Sequence, residues 1–193
     1  MNISRNIIKN LLLHNNENQI LYDLNSISGK EIAEKIITVA TSLKSTGKFV
    51  CGDRAILIMN DSPEFIYSFL SLISIGCIPV PLNPLIQDSE LEYILLDSKA
   101  TGVIVDNHQY LRLYHTIHSS YHIINDCIIV NNPSVKEYGS INYLQKFLSP
   151  QNFPAVSFEL EYAENNSVAF WQYTSGTTGN PKAVQHRHHT MLT

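Results

Sequence analysis

Cysteine is scarce and badly spaced for chemistry. Cys51, Cys77 and Cys127 are the only three in 193 residues, odd in number and without a C-x-x-C pair, which argues against a disulfide framework and a zinc knuckle. These thiols read as reduced groups packed in the core of a cytoplasmic protein. Positive charge is also short. Lysine and arginine total 13 against 17 acidic residues, a formal net charge of -4, so no global basic field exists to gather nucleic acid or anionic lipid. No apolar stretch approaches the ~20 residues of a membrane span. Leu11-Leu12-Leu13 runs at once into His14 and a series of Asn and Glu, too soon for a signal peptide. Nucleic-acid partners and a membrane span are therefore not expected.

What the chain does have is enough apolar material for a core: 44% of its residues are hydrophobic, at a length suited to one compact domain. Ser28-Gly29-Lys30-Glu31 has the spacing of a capping box, and Ile32, Ile36, Ala40 and Leu43 follow at helical intervals. Gly47 and Gly52 bracket the exit. Ala55-Ile56-Leu57-Ile58-Met59 is then a continuous apolar run, as in a strand buried on both faces. Asn60 to Glu64 offers a turn, a capping side chain and a proline for a first helical turn. Phe65, Phe69, Leu72 and Ile73 are the expected buried stripe of that helix, which ends near Gly76.

Cys77 to Leu82, punctuated by prolines, reads as a brief strand. Ser89-Glu90-Leu91-Glu92 repeats the capping-box spacing, ahead of a helix buried through Leu91, Ile94 and Leu95. Thr101 to Val105 reads as a strand, Tyr110 to His118 as a helix, and Cys127 to Val130 as a further strand. Such alternation is the signature of parallel neighbours joined by helical crossovers. The expected fold is α/β: three layers, with a mostly parallel sheet and helices on both faces. From Asn131 to Glu164 the pattern thins into a surface excursion with a short helix over Ile141 to Leu148. Ser167 to Tyr173 restores strand character through its β-branched and aromatic residues.

Directly after that strand stands Thr174-Ser175-Gly176-Thr177-Thr178-Gly179-Asn180-Pro181-Lys182. Its composition suits polyphosphate. Glycines let backbone N–H groups turn toward an anion without a Cβ in the way, hydroxyls add directed donors, and a lysine ammonium supplies a point charge. The spacing is not that of the common P-loop, because Asn180 and Pro181 separate Gly179 from Lys182 and Ala183 follows the lysine.

Tyr173 through Lys182 closely resembles the signature loop of the acyl-adenylate-forming (AMP-binding) superfamily, which includes acyl-CoA and aryl-CoA synthetases, peptide-synthetase adenylation domains and luciferases. The resemblance extends upstream through Gly52-Asp53-Arg54-Ala55, Asn60-Asp61-Ser62-Pro63-Glu64-Phe65, Gly76 to Pro84 and Glu92 to Ala100, in the family's order. Pro81-Leu82-Asn83-Pro84-Leu85 and Phe170-Trp171-Gln172-Tyr173 are most similar to benzoate-CoA ligase and its acyl-CoA synthetase relatives. The resemblance implies a ligase that uses ATP and Mg2+ to turn a carboxylic acid into an acyl-adenylate, then forms a thioester with coenzyme A or a carrier-protein thiol. On matching positions, it implies that Thr174, Ser175, Gly176, Thr177, Thr178, Gly179 and Lys182 surround the β- and γ-phosphates. Thr174 and Lys182 are its catalytic candidates, with Thr174 the candidate Mg2+ contact. His186 and His188 resemble histidines that follow the loop near the substrate pocket.

One departure is Ala183, where the family usually has glycine; a single methyl implies altered packing rather than lost binding. Members of the family are much longer, so the resemblance also implies that residues 1–193 are the N-terminal portion of an AMP-binding domain, cut just after the phosphate loop. The missing C-terminal part is then a required partner, and the fragment alone does not turn over. The competing reading is a non-catalytic remnant that binds a nucleotide or a partner protein. His186, His188 and His189 also invite a zinc reading, but a metal site needs further ligands and a supporting shell. Trp171 and Tyr173 read as core aromatics, with stacking on a base or aromatic substrate as the alternative.

Overall fold

The computed structural model describes residues 2–14, 19–23, 25–120, 124, 127–132, 142–149, 163–164, 166–174 and 179–191. The chain begins with α1 (Ile3–Leu13), a hairpin of β1 (Gln19–Tyr22) and β2 (Asn25–Ser28), and α2 (Gly29–Ser45). It continues as β3 (Arg54–Ile58), α3 (Pro63–Ser74), β4 (Ile78–Pro81), α4 (Asp88–Ser98) and β5 (Gly102–Asp106). Next come α5 (Asn107–Arg112), α6 (Tyr114–Ser119), β6 (Ile128–Asn131), β7 (Asn142–Tyr143) and α7 (Leu144–Phe147). A second hairpin, β8 (Val168–Thr174) and β9 (Lys182–Arg187), precedes a 3-10 turn at His188–Met191.

Strands β4-β3-β5-β6-β7 form one parallel sheet in that order. Neighbouring strand residues go to opposite sides. Ala55, Leu57, Ile104 and Ile129 enter a core shared with Ile8, Ile36, Leu43 and Ile73 of α1, α2 and α3. Ile56, Ile58, Val80, Val103, Val105, Ile128 and Val130 enter a second core with Leu91, Ile94, Tyr110 and Ile117 of α4, α5 and α6. Each of these strand residues is 0–1% exposed, which explains why the strands read as unbroken apolar runs: helices cover both sides. The three-layer α/β expectation holds.

Beyond the carboxyl ends of the central strands, polar side chains tie neighbours together. The Asp106 carboxylate accepts from the Asn60 backbone N–H at 2.8 Å, from Asn60 Nδ2 at 3.1 Å and from Asn131 Nδ2 at 2.8 Å. At the opposite end, Arg54 donates through Nε to the Ser98 carbonyl at 2.7 Å and through Nη2 to the Lys99 carbonyl at 2.9 Å. A guanidinium thereby satisfies carbonyls that the end of α4 leaves open. Arg54 is thus a helix anchor, while its neighbour Asp53 closes the preceding turn, its Oδ2 accepting from the Val50 backbone N–H at 2.9 Å.

Two of the capping side chains sit where the sequence places them. Ser28 Oγ accepts from Glu31 N at 3.3 Å and Ser62 Oγ from Phe65 N at 3.2 Å. The third differs: α4 starts after Gln87 without a side-chain cap, and Ser89 lies inside the helix. Asp88 and Glu90 in its first turn favour that start through the helix dipole. The stripe of α3 also differs. Tyr67, Leu70, Ser71, Leu72, Ile73 and Ser74 are buried while Phe65 and Phe69 are only half-buried. Ser71 Oγ donates to the Ile36 carbonyl at 2.8 Å, so small side chains let α2 and α3 approach, while Phe69 meets Phe170 of β8 and Phe65 stacks on Phe69. The helix expected over Tyr110 to His118 breaks at Leu113 into α5 and α6. The helix expected over Ile141 to Leu148 is shortened to α7 behind the strand β7. Cys77 and Cys127 are buried, but Cys51 is exposed, against the core expectation.

Candidate functional site

The hairpin β8–β9 is an antiparallel pair separate from the parallel sheet, in register from Phe170↔His186 through Gln172↔Val184 to Thr174↔Lys182, with a bulge between Val168 and Phe170. Directly opposed residues share a face, and the face alternates along each strand. Thr174 and Lys182 therefore stand side by side at the mouth of the loop formed by residues 175–181, and both are exposed. The sequence reading put Lys182 at the end of a loop; the structure makes it the first residue of β9, squarely opposite Thr174.

Of the other loop residues named from the resemblance, Ser175, Gly176, Thr177 and Thr178 lie outside the described residues. Gly179 is described, exposed, and has φ +124. That conformation is one that glycine adopts freely and other residues rarely do. A Cβ built on Gly179 would meet nothing within 4 Å, so open space lies beside this backbone. An exposed ammonium, a threonine hydroxyl on the same face and an unobstructed glycine form a donor set that fits polyphosphate. Among the described residues no group of three or more His, Cys, Asp or Glu side chains is placed to hold a metal ion. A divalent cation here would draw its ligands from the Thr174 hydroxyl, phosphate oxygens and water, in keeping with how Mg2+ is usually held.

The other face of the hairpin turns inward. Trp171 and Tyr173 are half-buried and pack against the core beneath α4, which bears out their reading as core aromatics in part. The Tyr173 hydroxyl donates to Asp97 Oδ2 of α4 at 2.5 Å. Burial, then this hydrogen bond and the Asp97 charge, raise the Tyr173 pKa above the usual phenol value, so the hydroxyl remains a donor. Ala183 is directly opposed to Tyr173 on this inward face and is half-buried. The methyl group that departs from the family's glycine thus points away from the Thr174–Lys182 face.

The two histidines separate in role. His186 lies flat on Phe170, with ring centroids 4.3 Å apart and planes 3° from parallel. Phe170 in turn meets Phe69 edge-on at 5.5 Å, which docks the hairpin against α3. His188 is 4% exposed, and its Nδ1 accepts from the Ile3 backbone N–H at 3.2 Å. Its own N–H donates to the Ser167 carbonyl at 3.1 Å. Burial, then the N-terminal charge, hold its pKa below the usual histidine range. In this structure His188 stitches the end of the hairpin to the start of α1. No sequence signal links residues so far apart, and the sequence reading missed it.

The family model described as AMP-binding enzyme matches residues 13–193. The chain is 31% identical over 141 residues to the 3-hydroxybenzoate–CoA/4-hydroxybenzoate–CoA ligase of Thauera aromatica, covering 73% of this chain and 26% of that protein. It is 26% identical over 170 residues to the benzoate–CoA ligase of the same organism, covering 88% of this chain and 30% of that one. An anthranilate CoA ligase solved in complex with anthranoyl-AMP superposes with a TM-score of 0.81 at 25% identity, over 97% of this chain and 35% of the other. The chain thus spans about a quarter to a third of the length of these two curated ligases.

Proposed function

Because the chain belongs to the AMP-binding enzyme family, we propose that its β8–β9 hairpin grips the triphosphate tail of ATP while a carboxylic acid is converted to an acyl-adenylate. The acyl group then passes to a thiol, that of coenzyme A in enzymes of the kind named among its relatives. One observation carries this reading: Thr174 and Lys182 are opposed and exposed at the mouth of a loop whose Gly179 backbone is unobstructed.

In the adenylation step a carboxylate oxygen bonds to the α-phosphorus and the bond from that phosphorus to the β-phosphate bridge breaks, releasing pyrophosphate. Negative charge grows on the departing oxygens. Lys182 is the fixed positive charge beside them, and the Thr174 hydroxyl orients either a phosphate oxygen or the Mg2+ that accompanies ATP. The Mg2+ supplies further charge neutralisation when bound. Ser175, Gly176, Thr177, Thr178 and Gly179 complete the grip with N–H and hydroxyl donors. Holding a leaving group in place and spreading its charge is positional and electrostatic catalysis. His186, on the same face as Thr174 and Lys182 but farther from the loop, stands on the side from which the acid approaches. The chain spans 26% and 30% of the lengths of the two Thauera aromatica ligases, and gripping the triphosphate is the part of the reaction assigned to its residues. Its place is the cytoplasm.

Titrating the chain with Mg–ATP and with pyrophosphate, by calorimetry, tests this. Saturable binding is expected, weakened about tenfold or more in Lys182→Ala, the loss of one charge-assisted contact. Equal affinities for the two proteins would remove Lys182 from the site and the proposal with it.

A further inference from the structure

We propose that Asp97 of α4, acting through the Tyr173 hydroxyl, is a positioning residue for the phosphate loop, fixing the end of β8 from which Thr174 and the loop depart. This rests on the phosphate-gripping reading above and adds what holds the grip in place. The two residues are 76 positions apart in sequence, joined by a 2.5 Å hydrogen bond to a carboxylate.

An isolated two-stranded ribbon is marginal on its own, so β8–β9 must borrow rigidity. At its far end it has several supports: the stack of His186 on Phe170, the Phe69 edge contact, and His188 against Ser167 and Ile3. β8 also lies against β4; near the loop, among the described residues, the inward-facing side-chain supports are the Trp171 and Tyr173 rings and the bond from Tyr173 to Asp97. Tyr173 immediately precedes Thr174, and its opposite residue Ala183 immediately follows Lys182. The pair on the inward face is thus the neighbour, on both strands, of the pair on the gripping face. A shift of Tyr173 moves Thr174 and Lys182 together.

The anchor itself is firm. Leu91, Ile94, Leu95 and Ser98 of α4 are buried, and Arg54 holds the carbonyls of Ser98 and Lys99 directly after Asp97. A charged acceptor on a packed helix is the sort of support that keeps a binding group within tolerance. Ala183 adds to it, since its methyl lies across from the Tyr173 ring at the Cβ spacing of opposed residues, about 5 Å.

The test compares the full chain with Tyr173→Phe, Asp97→Ala, their double variant and Asp97→Asn. Two readouts are needed: Mg–ATP affinity, and hydrogen exchange of the Gly179 amide without ligand. Tyr173→Phe and Asp97→Ala should each weaken Mg–ATP binding about three- to tenfold and speed Gly179 exchange. The double variant should be no worse than either single. Asp97→Asn, whose amide oxygen still accepts, should recover most of the affinity. Thermal midpoints within a few degrees of wild type in all variants would exclude a general loss of structure. Wild-type affinity in both single variants, while Lys182→Ala still weakens binding, overturns the positioning role and leaves the grip standing. Losses that add in the double variant overturn it too. If the wild-type chain binds neither ATP nor pyrophosphate, the grip fails, and the anchor is judged on exchange alone: unchanged Gly179 exchange in Tyr173→Phe overturns it.

Discussion

The parallel sheet and the β8–β9 hairpin are held by different physics. In the sheet, Ile56, Leu57, Ile104 and Val105 are 0% exposed, and position follows from burial on two sides. In the hairpin, the residues at the loop end, Gln172, Thr174, Lys182 and Val184, are exposed on one face, and position follows from a few directed contacts on the other. Burial is insensitive to any single polar group but punishes lost volume. Directed contacts behave in the opposite way. A binding loop gains from the second arrangement, because its donors must stay open to an incoming anion while the strand beneath them stays fixed.

The sharpest way to break this comparison is to remove volume from the sheet. Leu57→Ala takes three carbons from a fully buried site between β3 and the α2–α3 layer. Urea unfolding should show a loss of about 2–5 kcal/mol, the range for large-to-small changes in packed cores. A loss below about 1 kcal/mol would mean that this layer collapses around the gap and is not close-packed. Next to that change, Lys182→Ala should leave stability almost untouched while weakening nucleotide binding, which separates the two regions by assay.

This difference also decides how much could be read from sequence. The buried strands and their order of alternation were legible because each is a short apolar run between helix signals, and the caps at Ser28 and Ser62 were legible because capping is local. The candidate loop stands out in sequence because its glycines, hydroxyls and lysine are adjacent in the chain, although Ser175 to Thr178 lie outside the described residues. Ser89 misled because the capping pattern carries no information about where the preceding loop delivers the chain, and here Gln87 is the boundary. The break at Leu113 depends on tertiary packing: Leu113 is 0% exposed, and Tyr110 Oη lies 2.9 Å from His118 Nε2 across the break. The Asp97–Tyr173 and Ile3–His188 bonds join distant segments. β9 escaped notice because Lys182 to Arg187 is mostly polar and mostly exposed, and pairing with β8 makes it a strand.

A smaller effect sharpens the comparison at the hairpin's anchored end. His188 is held neutral in the folded chain, its Nδ1 accepting from Ile3 N–H, and its pKa lies below the usual value of about 6.5. The unfolded chain therefore takes up the proton first as pH falls. Stability should be fully present above about pH 6.5 and decline as pH drops toward the lowered folded value. His118, lowered by burial and then by His115, contributes with the same sign. Urea midpoints at about pH 7.5 and pH 5.5 should differ more in the wild type than in His188→Gln, with His118 accounting for part of what remains. An equal pH dependence in the two proteins would show that the bond to α1 is not what fastens the hairpin.

The smallest change belongs to the open face. Val184 is 43% exposed, opposed to the exposed Gln172, and shares its face with Thr174 and Lys182. Val184→Thr keeps a β-branched side chain, so strand preference is preserved, and no close packing is disturbed. Its unfolding free energy should stay within about 0.5 kcal/mol of wild type, as for most surface substitutions. A loss several times larger could arise only if Val184 were covered in solution, by a second copy of the chain or by an intramolecular segment. Sedimentation velocity on both proteins distinguishes these: a wild-type dimer that Val184→Thr dissociates would assign the cover to a second copy, and the face proposed to receive the triphosphate would then be occupied by protein.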